Sequence, residues 1–193
     1  MLRFFKLLLQ ARFRQLVLFL YEKSDHLHMK IRTISFDYSE YDDATSLRGE
    51  DGRLVAEARD AALRAYAPYS SFRVGAAVRL ESGTIVTGSN VENAAFPSGS
   101  CAESSAISNA VSNHPGDRPV AIAIAAMNSR GITPQPVTPC GRCRQVISEE
   151  ESRYGKPVRI ILHGESKTLI LEKCSDLLPL QFSKDDLRND LQK

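Results

Sequence analysis

Three of the four cysteines stand where the sequence predicts the start of a helix. Cys101 opens the run Cys-Ala-Glu, while Cys140 and Cys143 belong to the run Pro-Cys-Gly-Arg-Cys. A Cys-x-x-Cys pair at a helix start places both sulfurs in the first turn, beside unpartnered backbone N–H groups that favour thiolate. Such a pair is half of a zinc site. Cys101, at the start of another helix, is the expected third ligand, so the fold must bring two helix starts together.

Glu103 lies two residues after Cys101 in the same predicted helix. Residues two apart point about 200° away from each other around an α-helix, so Glu103 is not expected to be a ligand. Both side chains can still converge beyond the helix end, with a metal on Cys101 and a water beside Glu103. Three protein ligands plus water are typical of catalytic zinc, whereas structural sites fill all four positions. A structural site closed by Cys174 or His163 is the less favoured alternative, because neither has a metal-ligand spacing.

Helical patterns alternate with short apolar runs along the rest of the chain. The predicted elements, in order, are a helix at 53–67 ended by Pro68, strands at 72–80 and 84–91 joined by a turn at Gly83, a helix at 101–113, a strand at 120–127, a helix at 140–153, and strands at 158–164 and 168–173. The order αββαβαββ predicts an α/β protein, a three-layer α/β/α sandwich with a mixed five-stranded sheet.

The 193 residues are enough for one α/β domain, which we expect at 52–193 after a lead-in segment at 29–51. Residues 1–28 are apolar and basic, with no acid before Glu22. Basic residues interrupt their apolar runs, so none reaches the length of about 20 residues that a membrane span needs. We interpret 1–28 as a leader or non-native extension before a native start at Met29, expected to be disordered. A basic amphipathic surface helix is the alternative.

The cysteine content and the net charge indicate in which compartment the protein occurs and which classes of partner it binds. Four cysteines in a chain of this length do not form a disulfide framework, and such clusters more often hold metal or do chemistry in a reducing compartment, so we expect a cytoplasmic protein. The net charge of +2 comes from interspersed acidic and basic residues without a basic stripe. We therefore expect neither a nucleic acid nor a membrane as partner.

Four blocks of sequence carry a family resemblance. They are "YAPYSSFRVGAAV", "GSNVENAAFPSG", "PCGRCRQ" and "LLPLQF". With the Cys-Ala-Glu run, their order and spacing resemble the zinc-dependent cytidine deaminases, in particular the small homotetrameric branch, over about residues 52–190. The resemblance implies hydrolysis of cytidine and deoxycytidine to uridine and deoxyuridine plus ammonia, in pyrimidine salvage. It also implies Zn²⁺ as cofactor, a nucleoside as substrate and a homotetramer, with a dimer as the alternative.

The resemblance assigns roles at the reacting centre. Cys101, Cys140 and Cys143 bind zinc, which activates a water for attack on the cytosine ring. Glu103 takes the proton of that water, protonates the ring and later delivers a proton to the departing ammonia. Taken alone, Glu103 is more simply a carboxylate that interacts with the helix dipole.

The resemblance also implies five substrate contacts. These are Phe72 against the base, Asn90 and Glu92 at the ribose, Ala102 through its backbone at the pyrimidine edge, and Phe182 reaching a neighbouring subunit's site. The simpler alternative is that Asn90 and Glu92 end a strand and that the two phenylalanines are core residues.

Ser104 and Arg142 depart from the family pattern. The small deaminases usually continue Cys-Ala-Glu with an arginine that hydrogen-bonds to the thiolates and offsets their excess charge on Zn²⁺, whereas a serine carries no charge. Arg142, where a small residue is common, is predicted to supply that charge from the other helix, an exchange similar to blasticidin-S deaminases. The alternative functions are therefore a deaminase of another aminated pyrimidine nucleoside, such as blasticidin S or a modified cytidine, or a weakly active zinc-binding homologue.

Overall fold

The computed structural model of the protein describes residues 29–42, 47 and 49–187. The predicted leader at 1–28 lies outside the described residues. Contacts divide the chain into the units Met1–Ser35 and Phe36–Lys193, and residues 29–35 of the first unit contain no helix or strand. Among the described helices, none has the length and apolar character that a membrane crossing requires. The predicted boundaries at 28 and 51 remain predictions.

The described part of the second unit contains three α-helices and seven strands. In chain order these are β1 Ser39–Tyr41, α1 Gly49–Leu63, β2 Arg73–Leu80, β3 Ile85–Ser89, α2 Ala102–Asn113, β4 Pro119–Asn128, β5 Gly131–Ile132, α3 Gly141–Tyr154, β6 Arg159–His163 and β7 Thr168–Leu171. Short 3₁₀ segments at Phe96–Ser98, Cys174–Leu177 and Lys184–Leu187 lie between or after them.

The strands form one mixed sheet in the order β3-β2-β4-β6-β7-β1, and β5 pairs with the end of β4. Strands β4 and β6 are parallel, while the other pairs are antiparallel. The predicted mixed sheet is confirmed, but it has seven strands instead of five. The additional strands are β1, within the predicted lead-in, and β5. Segments of three and two residues are too short to show the alternation by which a strand is recognised.

Strand β4 shows how the sheet separates two helical layers. Ile122 and Ile124 belong to the apolar cluster that includes buried residues of α2 and α3. Ala121, Ala123 and Ala125 alternate with them and belong to the cluster that includes α1. Successive side chains of a strand point to opposite faces, so α1 covers one face and α2 with α3 the other. The predicted three-layer α/β/α sandwich is confirmed.

The first helix differs from its prediction at both ends. It runs from Gly49 to Leu63, whereas the sequence predicted 53–67. Beyond Leu63 the backbone N–H of Tyr66 donates to the carbonyl of Asn90 at 3.1 Å, and the N–H of Glu92 donates to the carbonyl of Tyr66 at 2.8 Å. This pairing with the chain after β3 replaces the last predicted helical turn. Helices α2 and α3 lie where they were predicted, with Cys101 and Cys140 as their N-caps.

Gly88 of β3 allows α2 to lie directly on the sheet. A Cβ atom at this position would lie 2.3 Å from the backbone nitrogen of Ala106 and 2.6 Å from the carbonyl oxygen of Ala102. Both distances are shorter than a Cβ atom can approach backbone, so a glycine is needed here. This close contact fixes the first turns of α2, and with them the position of Cys101.

Candidate metal centre and substrate cavity

The starts of α2 and α3 converge on three sulfur atoms. Cys101 and Cys140 are the N-caps of the two helices, and Cys143 lies in the first turn of α3. The three sulfurs lie within 4.8 Å of one another, and those of Cys101 and Cys140 are 3.8 Å apart. The positive ends of two helix dipoles therefore point at one group of potential thiolates, which stabilises negative charge there.

The geometry and chemistry of this cluster fit zinc. With Zn–S bonds of about 2.3 Å, two sulfurs of a tetrahedral site lie about 3.8 Å apart. All three cysteines are free, and burial raises the pKa of the Cys101 and Cys143 thiols. Burial also acts to raise the pKa of the Cys140 thiol, but hydrogen bonds with Cys143 and Cys101 leave it lowered. Ionising three adjacent, partly desolvated thiols is unfavourable unless a cation joins them, so the site favours a divalent metal.

The two residues considered for a fourth ligand lie elsewhere. In the described ranges, the sulfur cluster includes neither Cys174 nor His163. The thiol of Cys174 donates to the carbonyl of Arg144 at 3.5 Å, and Nδ1 of His163 lies 3.1 Å from the hydroxyl of Thr168. Neither residue therefore closes the three-cysteine cluster, and a site of three protein ligands is typical of catalytic zinc.

A cavity of about 520 Å³ opens beside the cysteines. This volume is in the range of small-molecule sites. The predicted site residues among those that line it are Asn90, Glu92, Cys101, Ala102, Glu103, Cys140 and Arg142. Val137 and Thr138, which the sequence analysis did not identify, also line it. Their run, "TPQPVTPC", has the proline content of a constrained loop, and that was the available signal.

Glu103 lies in the first turn of α2 and lines the cavity although only 5 % of its surface is exposed. Burial raises the pKa of its carboxyl group above the ordinary value. A carboxyl group with a raised pKa holds a proton more readily than an ordinary one, which a group that takes up and returns protons requires. The position and environment of Glu103 therefore suit a proton shuttle beside the sulfur cluster.

The side chain of Asn90 holds the start of β2. Its Oδ1 accepts a hydrogen bond from the backbone N–H of Val74 at 2.7 Å, and its Nδ2 donates to the carbonyl of Phe72 at 3.0 Å. Asn90 thus connects the cavity wall to the segment that carries Phe72.

The carboxylate of Glu92 holds the turn that precedes this segment. It accepts hydrogen bonds from the backbone N–H groups of Tyr69 at 2.8 Å and Ser70 at 3.2 Å, and one from the hydroxyl of Ser70. Ser71, the next residue, has a left-handed φ of 55°, which is strained for a residue with a side chain. The bonds to Glu92 help to maintain this strained turn.

Phe72 and Phe182 do not line the cavity of the single chain. Phe72 is half-buried, and its carbonyl is the acceptor for Asn90. Phe182 is 59 % exposed, and its carbonyl accepts a hydrogen bond from the side chain of Gln145 at 2.8 Å. The contacts predicted for these two residues stay predictions.

Ser104 and Arg142 have different relations to the sulfurs. Ser104 is buried, and its hydroxyl oxygen lies 3.7 Å from the sulfur of Cys143. Arg142 is exposed at the cavity, and its guanidinium has no hydrogen-bond partner among the described residues. The serine therefore contacts a sulfur directly, whereas no hydrogen bond joins the Arg142 guanidinium to a sulfur.

Comparisons with known proteins agree with this site. A family model described as the cytidine and deoxycytidylate deaminase zinc-binding region matches residues 48–155. A cytidine deaminase of Sporosarcina psychrophila is 42 % identical over 136 residues, which cover 70 % of this chain and 93 % of that protein. One of Halalkalibacterium halodurans is 38 % identical over 136 residues, covering 70 % and 96 %. The crystal structure of a Burkholderia pseudomallei cytidine deaminase matches with a TM-score of 0.59 at 34 % identity, covering 67 % of this chain and 97 % of that one.

Proposed function

Because the chain belongs to the cytidine and deoxycytidylate deaminase family, we propose that it catalyses the hydrolysis of cytidine and deoxycytidine to uridine and deoxyuridine with release of ammonia. It is an enzyme of the zinc-dependent class. The observation that carries this conclusion is the cluster of three cysteine sulfurs, of which Cys101 and Cys140 line one cavity together with the buried Glu103. The relatives do not favour the alternative of a deaminase for a different pyrimidine.

The three cysteines supply the metal site. Cys101, Cys140 and Cys143 would hold Zn²⁺, and the two helix starts that carry them stabilise their negative charge. When bound there, zinc acts as a Lewis acid that makes water nucleophilic near neutral pH.

Glu103 moves the protons of the reaction. Its carboxylate accepts a proton from the attacking water as oxygen bonds to C4 of the ring, and passes that proton to N3. When the bond from C4 to the exocyclic nitrogen breaks, Glu103 transfers the second water proton to the leaving group, which departs as ammonia. Its raised pKa supports both directions of transfer.

The cavity walls bind the rest of the nucleoside. We assign Ala102 to the pyrimidine edge through its backbone, and Asn90 and Glu92 to the ribose hydroxyls. Asn90 and Glu92 both line the cavity. Each oxygen of the Glu92 carboxylate can accept more than one hydrogen bond. The carboxylate can therefore bind a ribose hydroxyl while it keeps its bonds to the 69–70 turn. Phe72 is assigned to the face of the base.

Charge balance at the cluster involves Ser104 and Arg142. The hydroxyl of Ser104 lies 3.7 Å from the sulfur of Cys143 and would donate to it once that sulfur is a thiolate, and Arg142 would contribute a positive charge from the cavity rim. Together with the helix starts, these groups replace the arginine that is usual in the family.

A homotetramer, with a dimer as the alternative, is the proposed assembly. Its support is a set of exposed apolar side chains near the cavity and on the C-terminal segment, namely Tyr66, Tyr69, Val91, Phe96, Leu180 and Phe182. Exposed apolar surface of this kind marks interfaces between subunits. In such an assembly Phe182 would reach a neighbouring site.

Free cysteines support a reducing, cytoplasmic location, where the product would enter pyrimidine salvage.

Ammonia release from a panel of substrates tests this function. The panel contains cytidine, deoxycytidine, cytosine, deoxycytidine monophosphate and blasticidin S, with zinc measured on the same sample. We expect about one zinc per chain and the highest kcat/KM for the two nucleosides. A higher kcat/KM for blasticidin S or for the monophosphate would contradict the proposed nucleoside substrate. Turnover by metal-free protein would contradict the zinc-dependent mechanism.

A further inference from the structure

Arg144 follows the last cysteine of the metal site and has no role in the function proposed above. Its half-buried guanidinium donates three hydrogen bonds. Nε donates to the carbonyl of Pro139 at 2.9 Å, and Nη2 donates to the hydroxyl of Thr138 at 3.4 Å. Nη1 donates to the carbonyl of Leu177 at 2.8 Å. One side chain thus connects two parts of the chain that are about forty residues apart in sequence.

The first connected part is the loop that enters α3. Pro139 directly precedes the proposed ligand Cys140, while Val137 and Thr138 line the cavity. The direction of this loop sets where the sulfur of Cys140 lies, because Cys140 is the N-cap residue and not yet helical. The two hydrogen bonds from the planar guanidinium to Thr138 and Pro139 fix both the position and the orientation of this loop.

The second part is the 3₁₀ segment Cys174–Leu177, which α3 holds in place independently of Arg144's guanidinium. The carboxylate of Glu151 accepts the backbone N–H groups of Cys174 at 2.7 Å and Ser175 at 3.1 Å. The thiol of Cys174 donates to the carbonyl of Arg144 at 3.5 Å. The carbonyl of Leu177 is therefore a fixed point from which Arg144 reaches the loop.

We propose that Arg144 is a positioning residue of the metal centre, which holds the 137–140 loop against the Cys174–Leu177 segment and thereby sets the position of the Cys140 sulfur and of the adjoining cavity wall. This inference rests on the proposed function, because it takes the three cysteines as metal ligands. It adds the Cys174–Leu177 segment to the parts of the chain that would determine the geometry of the metal site.

Cobalt(II) substituted for zinc in the full chain reports this geometry through its visible ligand-field and thiolate charge-transfer bands. The first variant is Arg144→Lys, which keeps the positive charge but lacks the planar guanidinium with its several N–H donors. The second is Thr138→Val, which removes only the hydroxyl that accepts the Nη2 bond. Gln145→Ala is the matched control, because Gln145 is the next residue of α3 and donates a hydrogen bond to the carbonyl of Phe182, which lies beyond the Cys174–Leu177 segment, and none to the 137–140 loop. Release of cobalt to a chelator and thermal unfolding are measured on the same samples.

Arg144→Lys is expected to shift the cobalt bands and to speed cobalt release by roughly 10- to 100-fold, the range for residues that orient metal ligands. Thr138→Val should shift them in the same direction by less, and Gln145→Ala should keep the wild-type spectrum even if its stability falls. Wild-type bands and release rates in folded Arg144→Lys and Thr138→Val would overturn the role of Arg144. Failure of the wild type to bind cobalt through thiolates would overturn the metal site itself.

Discussion

Glu103 combines burial with access to the cavity that Cys101 and Cys140 line. Replacement by glutamine keeps the size and polarity of the side chain but removes its ability to exchange a proton. We expect Glu103→Gln to retain zinc and to lose turnover by a factor on the order of 10² to 10⁴ or more. Steady-state kinetics with metal analysis on the same sample measure this. A near-normal kcat would exclude Glu103 from the mechanism.

Substitutions at Ser104 and Arg142 compare two groups that are proposed to offset the negative charge of the cysteine thiolates, a hydroxyl beside one sulfur and an exposed guanidinium. Removing the hydroxyl bonded to the sulfur of Cys143 in Ser104→Ala should speed zinc loss to a chelator, because the sulfur loses a donor. Arg142→Ala should also weaken zinc retention, by an amount that shrinks as salt is added, since the exposed guanidinium acts through charge.

A double-mutant cycle that includes Ser104→Arg completes the comparison. Arginine at this position in the Arg142→Ala background should recover much of the lost zinc retention, and should gain little alone. Unchanged zinc retention in Arg142→Ala would show that Arg142 has no part in charge balance.

His163 ends β6 and is buried beside Thr168. Burial lowers the pKa of its imidazole, with the nearby charge of Arg59 acting in the same direction. The unfolded chain therefore binds a proton at a pH where the folded protein does not, so the folded state loses stability as the pH falls below about 6.5. The unfolding temperature of His163→Asn should fall less than that of the wild type between about pH 7.5 and about pH 5.5. An equal fall in both proteins would contradict this.

At the scale of elements, the contact between α2 and β3 determines where the metal ligands meet. Gly88→Ala places a Cβ 2.3 Å from the backbone of α2, so the helix must move away from the sheet. We expect a loss of roughly 1 to 3 kcal/mol in the free energy of unfolding, together with weaker zinc retention. Chemical denaturation and a chelator assay measure the two effects.

Gly141→Ala is the control for this element. Nothing lies within 4 Å of a Cβ at Gly141, although the residue stands between two of the proposed ligands. It should leave both stability and zinc retention close to wild type. If Gly88→Ala behaved in the same way, the close approach of α2 to β3 would not control the site.

For the whole molecule, assembly and activity are expected to reside in the region that resembles the family. A chain beginning at Met29 should fold, form the same oligomer and deaminate cytidine at the rate of the full chain. The physical reason is that the exposed apolar residues proposed for the interface all lie between Tyr66 and Phe182. Light scattering and ammonia release measure the two properties. Loss of assembly on truncation would place part of the interface before Met29.

Local sequence was sufficient to predict α2, α3 and the cysteine cluster. Helix starts depend on a few neighbouring residues, and Cys101 and Cys140 are the N-caps of these helices as the pattern indicated. Short apolar and β-rich runs likewise predicted the longer strands, and their alternation with helices predicted that both faces of the sheet are covered. Short-range patterns therefore predicted the fold class and the three clustered cysteines, but they missed Val137 and Thr138 of the cavity wall.

Contacts between residues distant in sequence determined the features that the sequence did not predict. Helix α1 ends at Leu63 because Tyr66 pairs with the chain at 90–92, and β1 exists because Ser39–Tyr41 pairs with β7. In the same way Arg144 reaches Leu177, more than thirty residues away. A backbone or guanidinium group takes the partner that folding brings to it, and no local pattern encodes that partner. The sequence by itself thus determined which groups could bind zinc and move protons, and the tertiary structure decided which other groups hold them in place.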